Sequence, residues 1–162
     1  MYKRQADGLP NPKRVTGVSK IIFAKGNKIS GRWGEWDRKK FSVEDFAAGF
    51  VHFENGCSLV LETAWLGHQH EDEDMSCQLF GQNGGIKWPT GEFATVESGN
   101  FMQGTITHPH TVENPHTVEL KAFYDCIANN TPSPVPWTET EKVIGILEGI
   151  YRSQDQCSEI TL

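Results

Sequence analysis

What this sequence lacks narrows its function before any motif does. No run of apolar residues approaches the ~18–20 needed to span a bilayer. Met1-Tyr2-Lys3-Arg4-Gln5 is basic, but no apolar stretch follows it, so no secretory signal is visible. The four cysteines, Cys57, Cys77, Cys126 and Cys157, form no C-x-x-C pair, which speaks against a zinc site or a redox dithiol. Each has apolar neighbours in the chain, as buried reduced thiols usually do, and a reducing, cytoplasmic compartment is the expectation. There is no G-x-G-x-x-G opening a helix, no phosphate-binding G-x-x-x-x-G-K-[ST] and no G-x-S-x-G. Gly81-Gln82-Asn83-Gly84-Gly85 sits between two strand-like runs, so it reads as a hairpin turn and presents no helix N-terminus to a phosphate.

Basic residues are scarce beyond residue 40. Residues 1–40 hold eleven Lys and Arg against three acids, and the rest of the chain holds four against eighteen, for a net charge of −6. A basic N-terminal part is one way to hold phosphate or nucleic acid. Here the basic residues are scattered among Gly, Pro and β-type residues instead of lining a helix. The expectation is therefore no nucleic acid and no membrane, with the two charged regions forming complementary surfaces of one fold or of neighbouring chains.

What the chain has is enough material for one domain. Its 162 residues are 37% hydrophobic, with five Trp, nine Phe and three Tyr, and 16 Gly and eight Pro make it turn often. At this length about 68–70% of the unfolded surface can be buried. The organisation expected is an N-terminal tail over 1–14 and a single domain over 15–162.

Strand-like runs come first. Val15–Phe23 is β-branched, and Asp45–Phe53 and Cys57–Trp65 flank Glu54-Asn55-Gly56, which predicts a hairpin with a type I′ turn. Met75–Phe80 and Ile86–Trp88 flank the Gly-rich turn, and weaker strands fall at Phe93–Glu97 and Phe101–Thr107. After Pro109 the period changes. Asn114-Pro115 opens a helix with Leu120, Phe123, Tyr124 and Ile127 on one face. A second helix is expected from Thr138, capped by Glu141, with Val143, Leu147 and Ile150 stacked and Ile144, Ile146 and Tyr151 beside them. Gly145 and Gly149 inside it make sense against a close sheet. Glu159–Leu162 reads as a last strand.

Strands followed by helices give an α+β fold: an open, mainly antiparallel sheet with helices packed on one face. In Asp45–Phe53 both alternating sets are apolar or small. A sheet with one wet face alternates apolar with polar. The second face is therefore expected to meet another domain or another subunit.

Chemistry-bearing residues cluster in two places. Arg32, Trp33, Trp36 and Arg38 combine cationic forks with flat apolar faces, a pairing used to recognise carboxylates and carbohydrates, and equally one that packs a core or interface. His68-Gln69-His70 precedes four acids, Glu71–Asp74. On an extended strand His68 and His70 share a face, but no third ligand has a defined spacing, so a hydrated acidic loop is the simpler account and no metal is assigned.

The order of several segments resembles the C-terminal domain of the Gfo/Idh/MocA oxidoreductases, the family of glucose–fructose oxidoreductase and inositol dehydrogenase. Val43-Glu44-Asp45-Phe46-Ala47-Ala48-Gly49-Phe50, Phe53-Glu54-Asn55-Gly56-Cys57 and Leu61-Glu62-Thr63-Ala64-Trp65 are similar to its central sheet. Leu79–Gly85 resembles its G-T-K-G-G turn, with Gln82-Asn83 in place of Thr-Lys. Phe123–Asn129 followed by Pro132 and Pro134, and Ile146–Ser153, resemble its two closing helices.

The resemblance implies a domain that supplies substrate contacts and the oligomer interface, beside a Rossmann domain binding NAD or NADP. The family's Glu-Lys-Pro and Asp-x-Gly-x-His elements do not occur in this sequence. No catalytic residue and no cofactor-binding residue is carried over, and both are expected upstream. The substrate-contact candidates are Arg32, Trp33, Trp36, Arg38, Trp65 and His68. The function implied is the substrate-binding and oligomerisation domain of a dehydrogenase acting on a sugar, cyclitol or related polyol, inactive alone. The alternative is a standalone module for self-association or partner binding. Whether the chain is itself an enzyme stays open at this point.

Overall fold

A computed structural model describes residues 9–26, 35–71, 73–107 and 114–162. They form eight strands and two helices: β1 (Pro12–Lys20), β2 (Phe46–Phe53), β3 (Ser58–Ala64), β4 (Cys77–Gly81), β5 (Gly84–Trp88), β6 (Glu92–Glu97), β7 (Asn100–Thr105), α1 (Pro115–Asn129), α2 (Trp137–Gln156) and β8 (Ile160–Thr161). The strands make two antiparallel four-stranded sheets, ordered β3-β2-β1-β8 and β4-β5-β6-β7. The fold is α+β with open sheets. The chain divides into two compact units, one of Gln69–Val118 and the other of the residues on either side of it.

In the first sheet β1 is central, with β2 on one side and β8 on the other. Helix α2 crosses one face. Val15, Val51, Ile146, Ile150 and Ile160 form its core, with Phe53 and Leu61 packed against them. Ile150 fits into a hole made by two glycines paired across the strands, Gly17 and Gly49. A Cβ at Gly49 would lie 2.8 Å from Ile150 Cδ1, so only glycine leaves the isoleucine room. Gly149 brings the helix backbone down on β1 in the same way, since a Cβ there would meet Val15 Cγ1 at 2.4 Å.

β8 is too short to satisfy the whole edge of β1. Beyond it the Gly17 N–H donates to Ser153 Oγ at 3.0 Å, and that hydroxyl donates to the Ser158 carbonyl at 2.7 Å. Ser153 is 3% exposed, and both bonds satisfy it. Cys157 ends α2 in the left-handed conformation with φ 50°.

Several sequence expectations are corrected in detail. β1 starts earlier and ends earlier than Val15–Phe23, because Asp45 captures the chain after Lys20. In the β2–β3 hairpin only Gly56 takes a positive φ, at 84°, so the turn is not type I′; the Asn55 side chain instead accepts the Cys57 N–H at 3.1 Å. Helix α2 opens after Pro136 with no side-chain cap, so Thr138 and Glu141 form no capping box. Of the two helix glycines only Gly149 touches the sheet, and nothing lies within 4 Å of a Cβ at Gly145. The anticipated face of α1 is exposed, with Leu120 at 68% and Ile127 at 65%. Cys57, Cys77 and Cys157 are exposed rather than buried, and Cys126 is partly buried.

Candidate functional site

One end of the first sheet is organised by a single carboxylate. Asp45 stands immediately before β2 and is 1% exposed. Its Oδ1 accepts the Ile22 N–H at 2.8 Å, and its Oδ2 accepts those of Phe23 at 2.8 Å and Ala24 at 2.6 Å. Its backbone N–H donates to the Lys20 carbonyl, and its carbonyl accepts from Trp65. The segment leaving β1, the entry to β2 and the exit from β3 are thus tied to one residue. Hydrogen bonds to an ionised acceptor contribute about 1.5–3 kcal/mol each.

Against this frame an aromatic cluster assembles. The Trp36 and Trp65 ring centroids lie 6.5 Å apart, and Phe41 sits 6.2 Å from the first and 5.7 Å from the second. Each indole N–H is turned inward, Trp36 Nε1 to the Ala24 carbonyl and Trp65 Nε1 to the Glu44 carbonyl, both at 3.0 Å. With the polar edges fixed, the flat faces are what remains for a ligand. Trp65 is 46% exposed. The Arg38 guanidinium lies 5.8 Å from the Trp36 ring, in cation–π range. His68 meets the Phe23 ring edge-on at 6.1 Å, and Phe23 packs on the buried pair Ala24 and Leu66.

Of the six substrate-contact candidates, Trp36, Arg38, Trp65 and His68 come to this end of the sheet. Arg32 and Trp33 lie outside the described residues. β3 ends at Ala64, so His68 and His70 lie beyond the extended strand that would set them on one face, and His70 Nε2 lies 3.8 Å from Glu71 Oε1. Among the described residues no group of three His, Cys, Asp or Glu side chains gathers as a metal set.

Sequence reasoning missed Asp45, Phe41 and a contact between Glu44 and Tyr151. Asp45 reads as the first residue of a strand. The available signal was its charge, lodged at the head of an otherwise apolar run. The Tyr151 hydroxyl donates to Glu44 Oε1. That bond, then burial, then the carboxylate's charge, all hold the phenol's pKa above its ordinary 10.0.

Gly81, Gly84 and Gly85 belong to the β4–β5 hairpin and open no helix. The helices open at Asn114-Pro115 and Pro136-Trp137, without a glycine-rich loop.

An α+β domain with open antiparallel sheets and an aromatic, cationic sheet end is the class this geometry defines. Solved structures share its fold. Levoglucosan dehydrogenase, in complex with NADH and L-sorbose, superposes with a TM-score of 0.70 at 14% identity, over 93% of this chain and 44% of that one. The aldose-aldose oxidoreductase of Caulobacter crescentus, complexed with glycerol, does so with a TM-score of 0.64 at 16% identity, over 94% and 42%. D-glucoside 3-dehydrogenase of Escherichia coli (strain K12) is 33% identical over 97 residues, which is 59% of this chain and 27% of that protein. The chain belongs to the Gfo/Idh/MocA oxidoreductase family: the model of its C-terminal alpha/beta domain matches residues 16–162. It spans less than half the length of these relatives.

Proposed function

We propose that this chain is the substrate-binding and self-associating domain of an NAD(P)-dependent dehydrogenase acting on a sugar, a cyclitol or a related polyol. The observation that carries the reading is the convergence of Trp36, Trp65 and Arg38 at the end of the sheet set by Asp45. Ring faces with inward-turned N–H groups stack on the C–H faces of a sugar, and a guanidinium binds its oxygens. The sugar-acting relatives support the substrate class. The nicotinamide and the general base belong to a domain outside these residues, and this chain alone is inactive.

Self-association uses the face of the first sheet turned away from α2. Thr16, Val18, Ala48, Phe50 and Val60 share it by register, with Val60 75% and Phe50 40% exposed. Lys20 lies at its β1 edge and Glu62 on β3, so a two-fold parallel to the strands sets unlike charges opposite each other. Free thiols support a reducing, cytoplasmic setting. Among the described residues no helix is long and apolar enough to cross a membrane.

The test is the reading frame upstream of the Met1 codon, joined to a titration. An open frame encoding G-x-G-x-x-G after a strand, then Glu-Lys-Pro and Asp-x-Gly-x-His, is the expected result. An in-frame stop close to Met1 overturns the reading and leaves a standalone self-association or partner-binding module. Tight NADH binding and polyol turnover by the 162-residue chain alone would overturn it from the other side.

A further inference from the structure

The second sheet holds a recess of about 640 Å³ on one face of β4–β7. That volume falls within the range of small-molecule sites, about 300–1,000 Å³. Register dictates what lines it. Gln78 pairs with Lys87, Lys87 with Glu92 and Glu92 with Thr105, so these four side chains form one row across all four strands. The next row is Phe80, Gly85, Ala94 and Gln103. Directly paired residues project from the same side of a sheet. The two inner strands thus contribute almost no side chain to the second row, which makes its centre a floor with Phe80 and Gln103 standing at its ends.

The first row offers an amide, an ammonium, a carboxylate and a hydroxyl, and its charges cancel. Phe80 is 84% exposed. Such a surface matches a ligand with many hydroxyls, one apolar C–H face and no net charge. An anion or a nucleic acid would meet Glu92 beside the one cation. A covering helix or sheet would strip water from a full row of polar groups, at about 1–3 kcal/mol for each left unpaired. The other face of the same sheet carries Leu79, Ile86, Trp88, Phe93 and Met102 and has no such row. Val96 and Phe101 continue the polar face beyond the recess and do not line it.

We propose that the recess on β4–β7 binds a neutral saccharide, with Phe80 stacking on the sugar ring and Gln78, Glu92 and Gln103 hydrogen-bonding its hydroxyls. The site stands on this sheet's residues and holds whether or not the chain serves a dehydrogenase.

The experiment is a ¹H–¹⁵N NMR titration of the full 162-residue chain with cellobiose up to about 100 mM, in the range of weak millimolar sites. The expected result is saturable shifts at the amides of Gln78–Phe80, Gly85–Lys87, Glu92–Ala94 and Gln103–Thr105. Phe80→Ala weakens binding about tenfold, and so does Gln103→Ala, while Ile144→Ala on α2 leaves it unchanged. Both mutated side chains are exposed, so the variants keep the dispersion of the native spectrum. No saturable shift overturns the proposal, as do shifts confined to the Trp36 and Trp65 end of the first sheet. Equal affinity of Phe80→Ala and the native chain also overturns it.

Discussion

The Tyr151 hydroxyl donates to Glu44 Oε1 across 107 positions of chain, joining the outer side of α2 to the residue before Asp45. The pair ties the helix to the Asp45 end of the sheet. Because the carboxylate favours the protonated phenol, Tyr151 has a pKa above 10.0 in the folded state. A raised folded pKa means that the stabilisation is fully present below the unfolded value, about 10, and is lost as pH climbs through the folded one. Ultraviolet titration of the native chain against Tyr151→Phe should isolate a tyrosine that ionises late. Glu44→Gln should bring that titration back toward 10. At neutral pH Tyr151→Phe should cost about 0.5–1 kcal/mol, near the low end for a hydrogen bond because Tyr151 is exposed and Glu44 only partly buried. A Tyr151 that titrates earlier than free tyrosine would sink the account.

Asp45 should be among the least replaceable residues of the first sheet. Asp45→Ala leaves the N–H groups of Ile22, Phe23 and Ala24 without their acceptor, with Ala24 itself 0% exposed. The buried Ala24 donor left orphaned costs about 1–3 kcal/mol and the part-buried Ile22 and Phe23 donors less, so urea denaturation should show a loss of about 2 kcal/mol or more. Trp36 hangs from the Ala24 carbonyl, so its emission should shift to longer wavelength in the folded variant. A loss below about 1 kcal/mol would mean that water takes the carboxylate's place.

The strands were legible because hairpin signals are local. Asn55-Gly56 and the Gln82-Asn83 turn each sit between runs that pair only with their sequence neighbours. What the sequence did not disclose depends on contacts far along the chain. The Ile150 side chain fills space left by Gly17 and Gly49, and no local pattern distinguishes that isoleucine from Ile144 a few residues away. The α1 stripe was read correctly as helix, yet periodicity says which residues share a face and nothing about what covers it. At the Asp45 end of the sheet, aromatic and cationic residues were visible as types. Their convergence was not, since it is Asp45, a residue that looks like an ordinary strand opener, that folds Ile22–Ala24 back toward Trp36 and Trp65.

The two glycines of α2 offer a paired test of close packing. At Gly149 an added methyl would stand 2.4 Å from Val15 Cγ1 and 2.8 Å from Leu162 Cδ2. Overpacking of this kind costs about 1–3 kcal/mol, more than the helix propensity gained. At Gly145 nothing lies within 4 Å, so alanine brings only its propensity advantage, about 0.8–1 kcal/mol. Gly149→Ala should therefore lower the urea midpoint and Gly145→Ala should raise it. Changes of the same sign would contradict the placement of α2.

Self-association through the outer face of the first sheet predicts a mass that depends on concentration and on one exposed residue. Val60 lies beside Phe50 on that face and is 75% exposed, so Val60→Glu removes little from the folded monomer. In a sheet-on-sheet pair it buries a carboxylate among Phe50, Val18 and Ala48, which costs several kcal/mol unless a cation meets it. Light scattering at about 100 μM, where a micromolar dimer is nearly full, should find the native chain associated and the variant monomeric. Circular dichroism should be the same for both. Glu62→Lys separates hydrophobic from electrostatic contributions: if β1 of one copy lies over β3 of the other, it sets like charge against Lys20 and weakens association, increasingly so at low salt. A native chain that stays monomeric under these conditions would remove the outer face as an interface.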